Sequence, residues 1–125
     1  MKLEKDFLAG DARLLIRAYG PGEIRVNHDL ITQSCILSPS RLDSDWRPER
    51  FEDLEPRDFD VMLAQAPEVI LLGTGAETRI PSQKILATVL SQGIGLEFMD
   101  TGAACRTFNI LVAEDRRVVA ALLMI

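Results

Sequence analysis

The chain has 125 residues, of which 47% are hydrophobic and 26% charged, and these proportions exclude a disordered tail or a fibrous repeat. The length predicts a single domain, residues 1–125, with enough core to fold without a disulfide or a metal. Nineteen acidic against fourteen basic residues give a net charge of −5. This charge argues against nucleic-acid binding, because phosphate contacts need a basic face.

The expected compartment follows from several missing features. Residues 1–13 mix charged with apolar side chains and therefore predict no secretory signal. The longest apolar run, residues 118–125, is much shorter than the roughly twenty residues that a membrane helix needs. Two cysteines, Cys35 and Cys105, are interpreted as free thiols in a reducing cytoplasm. We expect a cytoplasmic protein without membrane insertion, cofactor or metal, since a single histidine, His28, and no Cys-x-x-Cys pair are present.

The first half of the chain is predicted to form short antiparallel strands. An apolar stretch, residues 14–19, ends at a Gly-Pro-Gly breaker, and the alternating stretch 23–26 ends at a turn that contains His28. Leu30 and Ile31 begin a further run that extends to Leu37. The polar stretch 40–55 is interpreted as a long connection with one short edge strand at Trp46-Arg47, because the proline that follows cannot donate to a central ladder.

The second half alternates helices with strands. A helix is predicted after Pro56, which fits a first helical turn, and it ends at Pro67. A continuous apolar strand follows at residues 69–72. Ser82 is a candidate N-cap for a second helix, whose predicted apolar face is Ile85, Leu86, Val89 and Leu90.

Gly93 is predicted to end this second helix in a left-handed conformation. A strand at residues 96–99 and a third helix, residues 103–113 with Asp100 or Thr101 as N-cap, come next. Because Ile110 lies on a second apolar flank, this helix is expected to be largely buried. The last strand is predicted at residues 118–124.

The predicted fold class is α/β. We expect a three-layer fold with a mixed central sheet, in which N-terminal antiparallel strands are followed by helix–strand–helix–strand–helix–strand. If the strands of the second half are parallel, the loops after residues 72 and 99 meet at one edge of the sheet. Ligands of open α/β sheets bind at that edge.

A Gly-Thr-Gly motif lies in the first of these loops. Gly73-Thr74-Gly75 follows a buried strand, which is where a phosphate loop occurs, but the third glycine of a dinucleotide fingerprint is replaced by Thr78. The lysine of a P-loop is also absent. The two glycines are therefore interpreted mainly as permitting a tight turn, and a weak anion site is the alternative.

The two loops together define a hypothetical ligand-binding crevice. It combines hydroxyl groups, a carboxylate and two arginines, which fit a small polar or acidic ligand. The alternative is that the polar residues cap a helix and the arginines are solvated. The candidate residues are Gly73, Thr74, Gly75, Arg79, Asp100, Thr101, Cys105, Arg106 and Asn109.

No catalytic residue is predicted. Cys105 lies in the first turns of the third helix, where the helix dipole can lower the pKa of a thiol. A nucleophilic thiol also needs a base, and His28 lies in the other half of the chain, so Cys105 is interpreted as a core residue. Trp46 has two interpretations: it anchors the long connection to the core, or it contacts a protein partner.

Several segments of this chain together resemble a known family, the domain of unknown function family 498. This family includes archaeal and bacterial single-domain proteins and a mitochondrial assembly factor for respiratory complex I. The resemblance extends over nearly the whole chain and is most specific over residues 69–125. The segments that carry it are Leu71-Leu72-Gly73-Thr74-Gly75, Gly93-Ile94 with Glu97, Asp100-Thr101, Ala104-Cys105, Thr107-Phe108-Asn109 and Val119-Ala120-Ala121-Leu122.

The resemblance implies a compact three-layer fold and no established enzymatic activity. We therefore expect a non-enzymatic binding or assembly-type protein with a protein partner. The alternative is a protein or enzyme that binds a small polar or anionic ligand at the segments 73–75 and 100–109. Acidic residues outnumber arginines between residues 43 and 60, and a partner is expected there. A homo-oligomer through an exposed edge strand is a further possibility.

Overall fold

The computed structural model describes residues 13–125. The stretch for which no secretory signal is predicted lies outside this range, apart from Arg13. Two short 3₁₀ helices, Phe51–Asp53 and Pro56–Phe59, precede the first α-helix. The strands are β1 (Ile16–Gly20), β2 (Glu23–Val26), β3 (Asp29–Ile31), β4 (Cys35–Ser38), β5 (Arg41–Asp43), β6 (Val69–Gly73), β7 (Gly95–Met99) and β8 (Val118–Leu122). The α-helices are α1 (Asp60–Leu63), α2 (Gln83–Leu90) and α3 (Thr101–Ala113).

The strands form two sheets. The first is an antiparallel sheet in the order β1-β2-β3. The second is a mixed sheet in the order β5-β4-β8-β6-β7, in which β6 pairs parallel with both β7 and β8, while β4 pairs antiparallel with β5 and β8. The predicted α/β class with N-terminal antiparallel strands and a mixed central sheet is confirmed.

Both faces of the mixed sheet are covered, and successive side chains along a strand point to opposite faces. On β6, Val69 and Leu71 belong to one apolar cluster, whereas Ile70 and Leu72 belong to another. All five residues of β6 are buried, which explains its continuous apolar sequence. The first cluster includes α3 and the antiparallel sheet, and the second includes α1 and α2. The mixed sheet is therefore the middle one of the three predicted layers.

Local signals fix the ends of the longer helices. The Oγ of Ser82 accepts from the amide of Ile85 at 3.2 Å, and Asp100 caps α3 in the same way. Gly93 has φ +76°, a left-handed conformation that suits glycine. The amide of Gly93 donates to the carbonyl of Leu90 at 3.0 Å. The predicted caps and the glycine terminator of α2 are therefore confirmed.

The predicted edge strand at Trp46-Arg47 is wrong. The short edge strand is β5, whereas Trp46-Arg47 has no strand structure. The hairpin of β4 and β5 turns at Pro39-Ser40, immediately after β4, so the edge position is already filled before Trp46. The run from Leu30 to Leu37 supplies parts of two strands, β3 and β4, which belong to different sheets.

Two predictions of burial are also wrong. Leu90 is 55% exposed and Ile110 is 57% exposed, although the helical spacing places both on apolar faces. The core of α2 depends on Ile85 and Val89, and that of α3 on the side that includes Phe108 and three other wholly or almost wholly buried apolar side chains. The helical period of a sequence shows on which side of the helix a residue lies, but it does not show how much of that side other elements cover.

Candidate functional site

The carboxyl ends of the three parallel strands lie side by side. In the strand register Gly73 is opposite Met99 on one side and Leu122 on the other. The amide of Thr74 donates to the carbonyl of Met99 at 2.8 Å, and the amide of Thr101 donates to the carbonyl of Gly75 at 2.9 Å. The loop after β6 and the loop after β7 therefore meet, as the predicted parallel arrangement requires.

Both glycines of the Gly-Thr-Gly motif have a structural reason. A Cβ atom at Gly73 would lie 2.9 Å from the Oγ1 of Thr101 and 3.1 Å from the Cα of the same residue. The first turn of α3 thus packs directly against the end of β6, and only glycine leaves the space. Gly75 has φ +103°, which strains any other residue type. The interpretation of the motif as a tight turn agrees with this geometry.

The two threonine hydroxyls of this region bind the protein itself. The Oγ1 of Thr101 donates to the carbonyl of Leu123 at 2.7 Å and accepts from the amide of Gly75 at 2.9 Å. The Oγ1 of Thr74 lies 2.6 Å from the carbonyl of Glu77 and accepts from the amide of Arg79 at 3.1 Å. Both threonines are buried, so these hydroxyls tie three loops together.

Asp100 and Asn109 are also engaged in the fold. The Oδ1 of Asp100 accepts from the amide of Ala103 at 2.9 Å and caps α3. The side-chain amide of Asn109 pairs with the backbone of Ile16: its Oδ1 accepts from the amide at 2.9 Å, and its Nδ2 donates to the carbonyl at 2.7 Å. Asn109 therefore holds β1 against α3, as a strand neighbour would do.

The two predicted arginines line different cavities. Arg79 binds the carboxylate of Glu52 at 2.7 Å and lies 4.5 Å above the ring of Phe51. With Thr74, Gly75 and seven other residues it lines a cavity of about 240 Å³. Arg106 donates to the hydroxyl of Tyr19 and lines a cavity of about 70 Å³.

The predicted set is thus divided into two groups. The smaller cavity also contacts Cys105 and Asn109, whereas none of its lining residues belongs to the Gly-Thr-Gly loop. Ligand binding at either cavity stays a prediction. Sequence reasoning missed Phe51, Glu52 and Tyr19, which hold the arginines, because nothing local in the chain links a distant aromatic or acidic residue to its arginine partner.

Both cysteines are buried. Burial raises the pKa of the Cys105 thiol to about 12, even though Arg106 opposes this change. Burial likewise raises the pKa of Cys35 to about 12. At neutral pH both residues are thiols rather than nucleophilic thiolates. His28 is exposed in the turn between β2 and β3. These features agree with Cys105 as a core residue.

Trp46 fastens the long connection to the core. Its indole Nε1 donates to the carbonyl of Asp58 at 3.0 Å, and its ring meets Phe59 edge-on at 6.1 Å. The residue is 9% exposed, so its side chain offers a partner little surface. This geometry agrees with the anchoring interpretation. Within the same connection, Arg47 forms a two-point ion pair with Asp58, at 2.9 and 2.7 Å.

Residues 13–125 contain neither a membrane-spanning helix nor a cluster of metal-ligating side chains. None of the helices described there is long and apolar enough to cross a membrane. Over the same residues, no three side chains of the types His, Cys, Asp or Glu form a group that could hold a metal ion.

A family model described as "Protein of unknown function (DUF498/DUF598)" matches residues 16–123. The chain belongs to this family. The resemblance inferred from the Gly-Thr-Gly loop and the segments after it is therefore confirmed, and the match also includes the antiparallel strands of the first half. The DUF498 model thus spans every strand and α-helix described above.

Relatives of this DUF498 protein include solved and curated proteins. A crystal structure of a Bordetella parapertussis protein is 38% identical, with a TM-score of 0.86 over 91% of this chain and 98% of that one. The "13 kDa major membrane protein" of Francisella tularensis is 30% identical over 86% of this chain and 88% of its own. The "NADH dehydrogenase [ubiquinone] 1 alpha subcomplex assembly factor 3" of Danio rerio is 30% identical over 97% of this chain and 68% of its own.

Proposed function

We propose that this DUF498 protein is a non-catalytic binding protein that assists the assembly of a protein complex. The observation that carries the proposal is the alignment of 97% of the chain with the Danio rerio assembly factor. An alignment of this extent includes the sheet, the loops at its carboxyl edge and the acidic connection. The partner itself is a protein, because assembly consists of holding subunits.

The chemistry of the crevice supports binding rather than catalysis. Thr101, Asp100 and Asn109 direct their polar groups to backbone atoms of the protein. Burial raises the pKa of Cys105, so this thiol is not the thiolate that nucleophilic catalysis would need. A crevice whose polar groups are already satisfied stabilises loops and leaves little for acid–base chemistry.

We infer that the exposed acidic side chains of residues 43–60 contact the partner. Asp45, Glu49 and Asp60 are exposed, and their carboxylates form no ion pair within the described part of the chain. The connection that carries Asp45 and Glu49 is held by Trp46 and by the ion pair of Arg47, and Asp60 begins α1, so the three charges occupy defined positions. A basic surface on the partner would complement them.

Affinity capture in the native host tests this proposal. A tagged wild-type chain should retain one reproducible set of subunits, quantified by mass spectrometry. Glu49→Lys with Asp60→Lys should lose that set, because two attractive charges become repulsive. The matched control, Glu23→Lys with Asp29→Lys, makes the same charge change at exposed positions of the antiparallel sheet and should retain it.

Native gels distinguish assembly from simple binding. Cells that lack the chain should accumulate a smaller, incomplete form of the captured complex, and the wild-type gene should restore the full size. Capture of no subunits above a tag-only control would contradict the proposal. A full-size complex in the deletion strain would limit the role to binding and overturn the assembly function.

The cytoplasmic location stays a prediction, since the Francisella tularensis relative is named a membrane protein. Fractionation of host cells checks it. We expect the tagged chain in the soluble fraction, together with its partner if that partner is soluble. Recovery in the membrane fraction after a high-salt wash would contradict this location.

A further inference from the structure

A second region of interest lies at the opposite edge of the mixed sheet, near the amino ends of β6 and β8. Three loops meet there: the turn between β4 and β5, the segment after α1, and the turn between α3 and β8. Between them is a cavity of about 280 Å³, called here the Arg117 cavity. Its lining residues are Ser38, Pro39, Ser40, Gln65, Pro67, Arg116, Arg117, Val118 and Val119.

The Arg117 cavity contains a guanidinium that no carboxylate contacts directly, although its charge acts on the nearby Glu68 carboxylate. Arg116 is paired with Glu68 at 3.1 Å, whereas the Arg117 side chain has no hydrogen bond or ion pair with any residue from 13 to 125. The backbone of Arg117 is nevertheless fixed: its amide donates to the Glu68 carboxylate at 2.9 Å, and its carbonyl accepts from the Glu68 amide at 2.8 Å. A guanidinium without a direct hydrogen-bond partner among the described residues is thus carried by a fixed piece of backbone.

A buried hydroxyl lines the same cavity. Ser38 is only 6% exposed, and its Oγ accepts from the amide of Ser40 at 3.3 Å. The Ser38 hydroxyl proton has no acceptor among the described residues. A buried donor without an acceptor costs free energy, so an oxygen atom supplied by a ligand would satisfy it.

The remaining wall of the Arg117 cavity is mostly apolar. Pro39 and Pro67 lie on two of its sides, and Val118 and Val119, which are 1% and 3% exposed, belong to the protein core. The volume is just below the range for small-molecule pockets, which is about 300–1,000 Å³. The cavity therefore fits a small ligand with an apolar body and one charged end.

We propose that the Arg117 cavity binds a small aliphatic acid, with the carboxylate between Arg117 and Ser38 and the alkyl chain against the prolines and valines. A carboxylate fits because a guanidinium can bind both of its oxygens. A phosphate dianion fits less well, since one free cation would leave a charge unpaired beside an apolar wall. This site is separate from the carboxyl edge of the sheet and does not depend on the assembly role.

Titration with sodium hexanoate, followed by ¹H–¹⁵N NMR at constant ionic strength, tests the proposal. Saturable shifts are expected at the amides of Ser40, Gln65 and Val118. Hexanamide has a closely similar shape but no charge. Its affinity should be lower by about tenfold or more, because hydrogen bonds to charged groups contribute more than neutral ones. Equal binding of the two compounds would overturn the proposal.

Variants assign the binding to the named groups. Arg117→Gln should weaken hexanoate binding about tenfold, whereas Arg117→Lys, which keeps the charge but not the two-point geometry, should weaken it less. Ser38→Ala should also lower the affinity. Arg25→Gln removes an exposed cation of β2 that does not line the cavity, and it should have no effect.

Three results would contradict the site. These are no saturable shift with hexanoate, an equal loss in Arg117→Gln and Arg25→Gln, and shifts confined to the cavity that Phe51 and Arg79 line. The spectrum of each variant without ligand serves as the folding control. If Arg117→Gln fails to fold, the comparison of Arg117→Lys and Ser38→Ala with Arg25→Gln decides the question.

Discussion

At the residue scale, the tightest constraint at the candidate site is the absence of a side chain at Gly73. Gly73→Ala would place a Cβ 3.1 Å from the Cα of Thr101, a backbone atom that cannot rotate away. We expect a destabilisation of about 1–3 kcal/mol, the usual cost of overpacking. The measurement is the free energy of unfolding in urea.

A matched control is available at Gly20. A Cβ added at Gly20 would meet no atom within 4 Å, and its backbone is not in the left-handed region. Gly20→Ala should therefore change the free energy of unfolding by much less than Gly73→Ala. Equal losses would show that the close approach of α3 to β6 is not the reason for glycine at position 73.

Thr101 gives a second prediction at this scale. Thr101→Val keeps the shape but leaves the carbonyl of Leu123 and the amide of Gly75 without their buried partner. Two unsatisfied backbone groups should cost about 2–4 kcal/mol. Thr107→Val is the control, because that hydroxyl is half-exposed and contacts only the sulfur of Met99 at 3.5 Å. A similar urea midpoint for the two variants would contradict the structural role of Thr101.

At the element scale, the sequence predicts which elements form better than it predicts their partners. The continuous run of β6 and the caps of α2 and α3 are local signals, and the structure contains them. The strand pairing that places β3 and β4 in different sheets is not a local property. Hydrophobic spacing also cannot show that Ile110 lies on an uncovered side of α3, since that depends on the layers around it.

The candidate site shows the same limit. The meeting of the loops after β6 and β7 follows from parallel strands and can be predicted. The use of Asn109 to hold β1 cannot, because its partner Ile16 is 93 positions away and contributes only backbone atoms. Likewise, Arg79 and Arg106 lie at different cavities because different side chains bind them, and no pattern in the chain encodes those pairs.

The role of Asn109 leads to a prediction about β1. Asn109→Ala removes both hydrogen bonds to the backbone of Ile16, so β1 to β3 should open more readily than the mixed sheet. Amide hydrogen exchange should become faster in β1 and β2 and stay nearly unchanged in β6 and β8. Asn27→Ala is an informative comparison, since it removes the bond from the Leu15 amide at 2.9 Å but leaves α3 untouched. Faster exchange throughout both sheets would contradict a local role.

At the scale of the whole molecule, three acidic residues hold segments that are distant in the chain against one another. Asp58 is buried beside Trp46 and Phe59, while Glu52 and Glu68 bind arginines at the two edges of the sheet. Burial alone would raise the pKa of Asp58, but the hydrogen bonds from Arg47 and from the Glu55 amide hold it below the ordinary value. The pKa values of Glu52 and Glu68 are also lowered by their hydrogen bonds.

This arrangement predicts loss of stability in acid, and Asp58→Asn tests it. A carboxyl whose folded pKa is lowered stabilises the protein fully above its unfolded pKa, about 4, and loses that contribution as the pH falls through the folded value. At neutral pH, Asp58→Asn should therefore be less stable than the wild type by about 1–3 kcal/mol. The difference should shrink below about pH 4.

Urea unfolding across this pH range measures the difference in stability. The control is Asp45→Asn, which changes an exposed residue of the same connection and should show almost no difference from the wild type at any pH. A constant difference between the wild type and Asp58→Asn would mean that packing, rather than the charge shared with Arg47, holds the connection in place.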